Sequence, residues 1–203
     1  MVTVAVWPVT LIDRELRLQP LRRRDRRAWL DVRARNREWL APWDPTSPRP
    51  TQERPATFSE TVRTQRRQAR AGQALPWAVW CGEDLVGQVS VMGIVGGAAR
   101  LCHIGYWIDQ RFAGRGITPR AVAIATRYVL SQRDLHRVEI AIRPENYASL
   151  RVVEKLGFAY EGRRPAFLHI AGDWRDHDIF TVTSDVLADP THPINSHPNP
   201  VVR

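Results

Sequence analysis

At 203 residues the chain is long enough for one domain with a full core and short for two. An apolar content of 43% with eight tryptophans argues against disorder, and no apolar run reaches the length that a bilayer span needs. The formal charge of +9 comes almost wholly from arginine; it suits an ordinary solvated surface or an anionic partner (a nucleotide-like group, an acidic peptide, RNA), and charge alone does not choose among these.

The opening stretch, residues 1–12, is apolar but has no basic lead and is broken by Pro8, so it does not read as a signal peptide. Residues 16–18 read as a first strand. Asp25 is placed to cap a helix reaching about residue 36, with Ala28, Trp29 and Val32 on its apolar side. The run Arg22-Arg23-Arg24-Asp25-Arg26-Arg27 reads as an exposed shoulder where that helix starts. Five prolines between Pro42 and Pro55 exclude one continuous helix there. Thr57-Phe58-Ser59-Glu60 is a capping box, so a second helix starts at that point, with Phe58, Val62 and Ala69 along one face and Gly72 as its stop.

Three strands follow, over residues 75–81, 85–94 and 100–108, as an antiparallel meander turned at Gly82-Glu83-Asp84 and Gly96-Gly97. Thr118 is placed to cap a third helix over residues 120–131, with Pro119 in its first turn. Residues 136–142 form a fifth strand, Asn146 caps a short fourth helix stopped by Gly157, and residues 158–161 and 174–185 close the sheet. Cys81 and Cys102 fall on strands and read as free thiols in a reducing, cytoplasmic setting. In the cluster Asp173, Asp176, His177 and Asp178, strand alternation splits the side chains between two faces, so a hairpin with paired charges is expected rather than a metal site. The expectation is an α/β (α+β) fold: a mixed, mostly antiparallel seven-stranded sheet with helices on both faces. One domain covers residues 1–189, and 190–203 form a flexible tail.

Between the third of the meander strands and the third helix lies Asp109-Gln110-Arg111-Phe112-Ala113-Gly114-Arg115-Gly116-Ile117-Thr118. Two glycines one residue apart, at a sharp turn from strand into helix, line up backbone N–H groups beside a positive dipole end, which makes an anion cradle. A P-loop is excluded because no Gly-Lys-Ser/Thr is present, and a dinucleotide fingerprint is excluded by the spacing.

This loop resembles the acyl-CoA-binding loop of the GNAT N-acetyltransferases, written Q/R-x-x-G-x-G/A. Some thirty residues later, Asn146-Tyr147-Ala148-Ser149 through Lys155-Leu156-Gly157-Phe158 resembles the fourth-helix motif of the same family. The blocks Asn36-Arg37-Glu38-Trp39-Leu40-Ala41-Pro42-Trp43, Gly105-Tyr106-Trp107-Ile108, Glu161-Gly162 and Gly172-Asp173-Trp174-Arg175-Asp176-His177 are similar to the branch that acetylates ribosomal-protein N-termini, and the last of them resembles the RimJ side of it.

The resemblance implies acetyl-CoA as co-substrate, with no metal. Its pyrophosphate would lie on Arg111, Gly114, Arg115, Gly116, Ile117 and Thr118, and its pantetheine arm along the backbone of Tyr106, Trp107 and Ile108, with the Asn146 amide beside it. Ser149 would protonate or steady the departing thiolate; the tyrosine common further along this helix is replaced by Val153. Where RimL-type enzymes carry a glutamate this chain has Leu168, so the base is sought among Glu139, Glu38, Asp44 and His103, or a water relay to one of them. Lys155 or Arg151 would meet the 3′-phosphate. The implied acceptor is a protein N-terminus, a ribosomal protein's first, with ribosome association and no membrane partner. The alternatives are a small amine such as a polyamine or aminoglycoside, and an RNA-binding module without turnover. An α-amine with a pKa of ~8 is about a tenth neutral at pH 7, against about one part in two thousand for a lysine, so it asks less of a base.

Overall fold

The computed structural model describes residues 7–48, 56–197 and 199–203. The start of the opening stretch and the prolines over 49–55 lie outside the described residues. The strands are β1 (Leu11–Asp13), β2 (Leu16–Gln19), β3 (Leu75–Cys81), β4 (Asp84–Val95), β5 (Leu101–Ile108), β6 (Arg137–Ile142), β7 (Ala159–Ile170), β8 (Asp173–Thr183) and β9 (Val201–Val202). They form one sheet in the order β7-β8-β6-β5-β4-β3-β2-β1-β9, antiparallel throughout except at β5 and β6.

The seven expected strands are all present, and the sheet gains β1 and β9, so the described residues hold nine strands rather than seven. Strands of three and two residues are too short to show an alternation in sequence. β7 is also longer than residues 158–161, because it is exposed along most of both faces and carries no apolar stripe to announce it.

The helices are α1 (Arg26–Arg35), α2 (Arg37–Leu40), α3 (Phe58–Arg70), α4 (Ile117–Gln132) and α5 (Tyr147–Lys155). Strand alternation sends Trp77 and Val79 into the large core with α4 and α5, while Ala78 between them joins Val32, Phe58 and Val62 under α1 and α3. Helices therefore cover both faces, as the element order requires. α4 is the buried centre, with ten buried residues, and Arg120 ties it to the β1–β2 hairpin through Asp13 at 2.9 Å and Glu15 at 2.6 Å. The α3 capping box forms as expected: Glu60 N donates to Thr57 Oγ1 at 3.3 Å and Thr57 N to Glu60 Oε2 at 2.8 Å.

Three local expectations change. The Asp25 carboxylate does not cap α1; it accepts from Arg22 N at 2.7 Å and closes a 3-10 turn ahead of the helix. Thr118 does not cap α4 but lies within it: the helix starts at Ile117 behind Gly116, a left-handed N-cap at φ 76°, two residues ahead of the expected cap. Among the described residues, 190–197 and 199–203 are not a frayed tail. Ile194 is fully buried, the His192 ring meets the Gly157 carbonyl at 3.2 Å, and Thr10 and Arg203 exchange backbone hydrogen bonds at 2.8 and 3.0 Å as β9 pairs with β1. One apolar anchor and side-chain bonds from His and Asn leave no periodic trace in the sequence, which is why the segment reads as a tail.

Candidate active site

β5 and β6 share register only from Leu101 opposite Arg137 to His103 opposite Glu139. Past that pair β5 stays with β4 and β6 stays with β8, so the two parallel strands part as a wedge. Gly87 lets β4 hold the far end of β5: a Cβ there would lie 2.3 Å from the Trp107 carbonyl oxygen. The edge of β5 over residues 104–108 consequently carries no strand on its wedge side. Such an edge offers backbone donors and acceptors to an extended, amide-bearing ligand.

The two faces of β5 hold different chemistry. On the α5 side, the Tyr106 hydroxyl accepts from Ser149 Oγ at 3.0 Å and donates to the Ser149 carbonyl at 3.3 Å. Burial pushes the Tyr106 hydroxyl well above its ordinary range, which the Ser149 hydrogen bond only partly offsets, so it stays protonated. Asn146 caps α5 by accepting from Ser149 N at 3.1 Å through Oδ1, which leaves its amide nitrogen to donate elsewhere. Val153, where a tyrosine is common, is buried in the core.

On the opposite face His103 Nδ1 stands 3.5 Å from Glu139 Oε2. Glu139 is buried and bound by Arg137 Nε and Arg164 Nη2, each at 2.9 Å. Burial alone would raise its pKa, but the two guanidinium groups outweigh it and hold the carboxyl below the usual range. Glu139 is thus a fixed anion beside His103. Of the other base candidates, Asp44 is paired with Arg33 at 2.5 Å and Glu38 is exposed on α2. Trp107, on this same face, packs edge-on against Trp29 with centroids 5.6 Å apart, under the Arg33 guanidinium.

The loop after β5 turns on Asp109, whose side chain is 1% exposed. Arg35 reaches its Oδ2 at 2.7 and 2.8 Å, Arg111 reaches the same oxygen at 3.0 and 3.2 Å, and Arg111 N donates to Oδ1 at 3.1 Å. Asn36 Oδ1 receives Gln110 N at 2.9 Å. Behind this anchor Gly114 and Gly116 take φ 77° and 76°, and a Cβ on either would meet nothing within 4 Å. Glycine is needed at both for backbone conformation. The first backbone bond of α4 is Arg120 N to Gly116 O at 3.4 Å, so the N–H groups of Ile117 and Thr118 precede the ladder and point out of it. Among the described residues no acceptor meets the N–H of Gly114, Arg115 or Gly116. Arg115 stacks over Phe112 at 5.1 Å. These donors, the bare β5 edge and the free Asn146 amide fit a diphosphate with a peptide-like arm.

A family model for the acetyltransferase (GNAT) domain matches residues 15–159. The chain belongs to the GNAT acetyltransferases. This GNAT chain is 31% identical to Mycobacterium smegmatis RimJ, solved in complex with CoA-disulfide, with a TM-score of 0.83 over 93% of this chain and 92% of that one. It is 29% identical over 164 residues to the ribosomal protein uS5-alanine N-acetyltransferase of Escherichia coli, covering 79% of this chain and 84% of that protein. With YjcK of Bacillus subtilis it shares 38% identity over 100 residues, 49% of this chain and 55% of that protein.

Several residues that hold the GNAT site together escape the sequence reading. Asp109, Arg35 and Asn36 build the loop from 74 positions apart. Trp39 Nε1 donates to the Ile108 carbonyl at 3.1 Å, so of the three β5 residues expected to offer their backbone, Ile108 has its oxygen already engaged. Arg143 spans the mouth of the wedge: its Nη1 donates to Pro42 O at 2.8 Å and its plane lies 5.4 Å from the Trp43 ring. Only Asp109 carried a signal, as an acid two residues ahead of an N–H it could receive in an Asx turn. In the 173–178 cluster, Asp178 pairs with Arg163 at 2.8 and 3.1 Å and Asp176 accepts from Ala166 N at 2.9 Å, the paired-charge hairpin expected. No helix of the described residues is long and apolar enough to cross a membrane.

Proposed function

We propose that the protein transfers the acetyl group of acetyl-CoA to the N-terminal α-amine of a protein, a ribosomal protein first among the candidates. The observation that carries this reading is the bare edge of β5 with Ser149 and Tyr106 on one face and His103 and Glu139 on the other. The relatives named for acetylating the terminal alanine of a ribosomal protein support the choice of acceptor. Acetyl-CoA supplies an activated acyl group. The amides of 114–118 with Arg111 and Arg115 would hold its diphosphate, and the backbone of Tyr106 and Trp107 with the Asn146 amide would hold its arm. The charge of +9 suits an enzyme that meets its acceptor on the ribosome.

In this reading His103 takes the proton from the incoming amine, with Glu139 held by Arg137 and Arg164 to orient the ring. Ser149 turns its hydroxyl hydrogen toward the sulfur, and Tyr106 supplies the hydrogen bond that Ser149 Oγ then accepts. Ser149→Ala is expected to lower kcat by about tenfold to a hundredfold with KM for acetyl-CoA nearly unchanged. Tyr106→Phe is expected to lower kcat less, and the double variant to fall no further than Ser149→Ala alone, which steady-state kinetics on the three variants will read.

Mass spectrometry of peptides, polyamines and aminoglycosides incubated with the enzyme and acetyl-CoA tests the acceptor. Acetylation at peptide N-termini is expected. Acetylation of the small amines with no peptide product overturns the reading.

A further inference from the structure

A second concavity lies on the acceptor side of the sheet, away from the cofactor loop. It is a cleft of about 240 Å³ lined by Arg143, Pro144 and Glu145, between β6 and α5, and by Arg163, Trp174, Arg175 and Asp176 of the β7–β8 hairpin. Strand alternation puts Arg143 on the face that carries Glu139, since Val138, Ile140 and Ile142 point into the opposite core. The cleft therefore opens on the same face as His103, three residues before Asn146.

Its arginines are not equivalent. Arg163 is satisfied at its Nε, which donates to Asp178 at 2.8 Å, while its Nη2 donates to the same carboxylate at 3.1 Å. Arg143 and Arg175 are not: the Nε of each is buried without a hydrogen-bond acceptor among the described residues. Their nearest carboxylates are offset, Glu145 at 3.2 Å from Arg143 Nε without hydrogen-bond alignment and Asp173 at 3.4 Å from Arg175 Nη1. A buried N–H of a guanidinium with no acceptor is costly, and two in one cleft mark a place where an acceptor of opposite charge is gained on binding. Arg143 is also fixed in advance. The Pro42 carbonyl and the Trp43 ring pin its far side, and the 45–46 segment that follows is stitched to β7 by Thr46 N to His169 O at 2.8 Å. Trp174, half-exposed and stacked edge-on with His169, gives the cleft one flat apolar wall suited to a peptide backbone.

We propose that this cleft is a specificity subsite that takes a carboxylate side chain, Asp or Glu, a few residues in from the amine of the acceptor polypeptide, with Arg143 and Arg175 as its donors. The proposal rests on the reading that the acceptor is a peptide N-terminus. It separates acceptors that share the same first residue, which the wedge itself does not.

The test is a set of acceptor peptides with one first residue, in which a single Glu is walked through positions two to six against Gln and Lys at the same place. The wild type is expected to prefer Glu over Gln at one position by about tenfold in kcat/KM. Arg175→Glu is expected to bring that ratio to one or below and to raise the Lys peptide above both, a gain that an unfolded variant cannot give. A wild-type enzyme indifferent to the charge at every position overturns the subsite and leaves N-terminal acetylation standing. A raised KM for acetyl-CoA in Arg175→Glu with the peptide ratio unchanged assigns the cleft to the cofactor and overturns it too. Acetylation of small amines alone, with no peptide product, overturns both readings.

Discussion

Gly114→Glu is expected to abolish measurable acetyl-CoA binding while the protein stays folded. At φ 77° any L side chain is strained, at a cost of about 1–2 kcal/mol, but the space around a Cβ there is open within 4 Å, so the fold tolerates it. The ligand does not. The new carboxylate stands among the amides of 114–118, where a diphosphate needs positive potential, and it competes for those donors. Strain and like-charge repulsion together should cost at least about 3 kcal/mol of affinity, a loss of a hundredfold or more by titration calorimetry. Gly114→Ala separates the two terms, since it carries the strain without the charge, and should lose no more than about tenfold. Unchanged affinity in Gly114→Glu would mean that the bend grips nothing.

Asp109→Ala is expected to have the largest effect on stability. The carboxylate is nearly inaccessible and takes two arginines and a backbone N–H; removing it leaves Arg35 facing Arg111 with nothing between them. Breaking such a pair from one side typically costs about 3–5 kcal/mol, and the partial exposure of both arginines places this case toward the low end. The pH dependence has a definite sign. Burial would raise the Asp109 pKa, but the hydrogen bonds from Arg35 and Arg111 outweigh it and bring the group down to about 2. A folded pKa below the unfolded one gives stability that is present above pH ~4 and lost as the pH falls toward 2, worth roughly 2 kcal/mol. Urea denaturation at pH 7 and pH 3 reads both effects: the variant should be less stable at pH 7 and lose less than the wild type on acidification. An equal acid loss in both would show that Asp109 is not the titrating anchor. Cofactor affinity should fall as well, because Gln110 to Gly116 hang from this residue.

How much of this was legible beforehand differs by element. The helices of α3 and α5 announce themselves, through the box at Thr57 and Glu60 and the cap at Asn146, because capping is a contact over three residues and is written locally. The start of α4 does not, because a threonine before a proline looks like a cap and only the left-handed turn at Gly116 shows that the helix is already under way. Gly114 and Gly116 could be named as a candidate anion cradle from their spacing, and Asn146 and Ser149 as expected site residues from the resemblance of their block to the fourth-helix motif. The Tyr106 hydroxyl could not be joined to Ser149, since the two are 43 positions apart and meet only when α5 folds over β5. Glu139 stands out in sequence as an acid on a buried strand, yet its part is decided by Arg137 and Arg164, which make it a bound anion beside His103 rather than a free base.

The resemblance of two motif blocks named the family and the cofactor class; by itself the sequence determined most of the elements, the glycine bend ahead of α4 and the capped start of α5. These are local statements about φ, capping and periodicity, and such terms act over a few residues. Tertiary structure alone decided where β5 leaves β6, which face each side chain takes there, that Asp109 carries the loop, and that the last residues close the sheet edge on β1. Those outcomes depend on register and on charge pairs made across the chain, and no window of neighbouring residues encodes them.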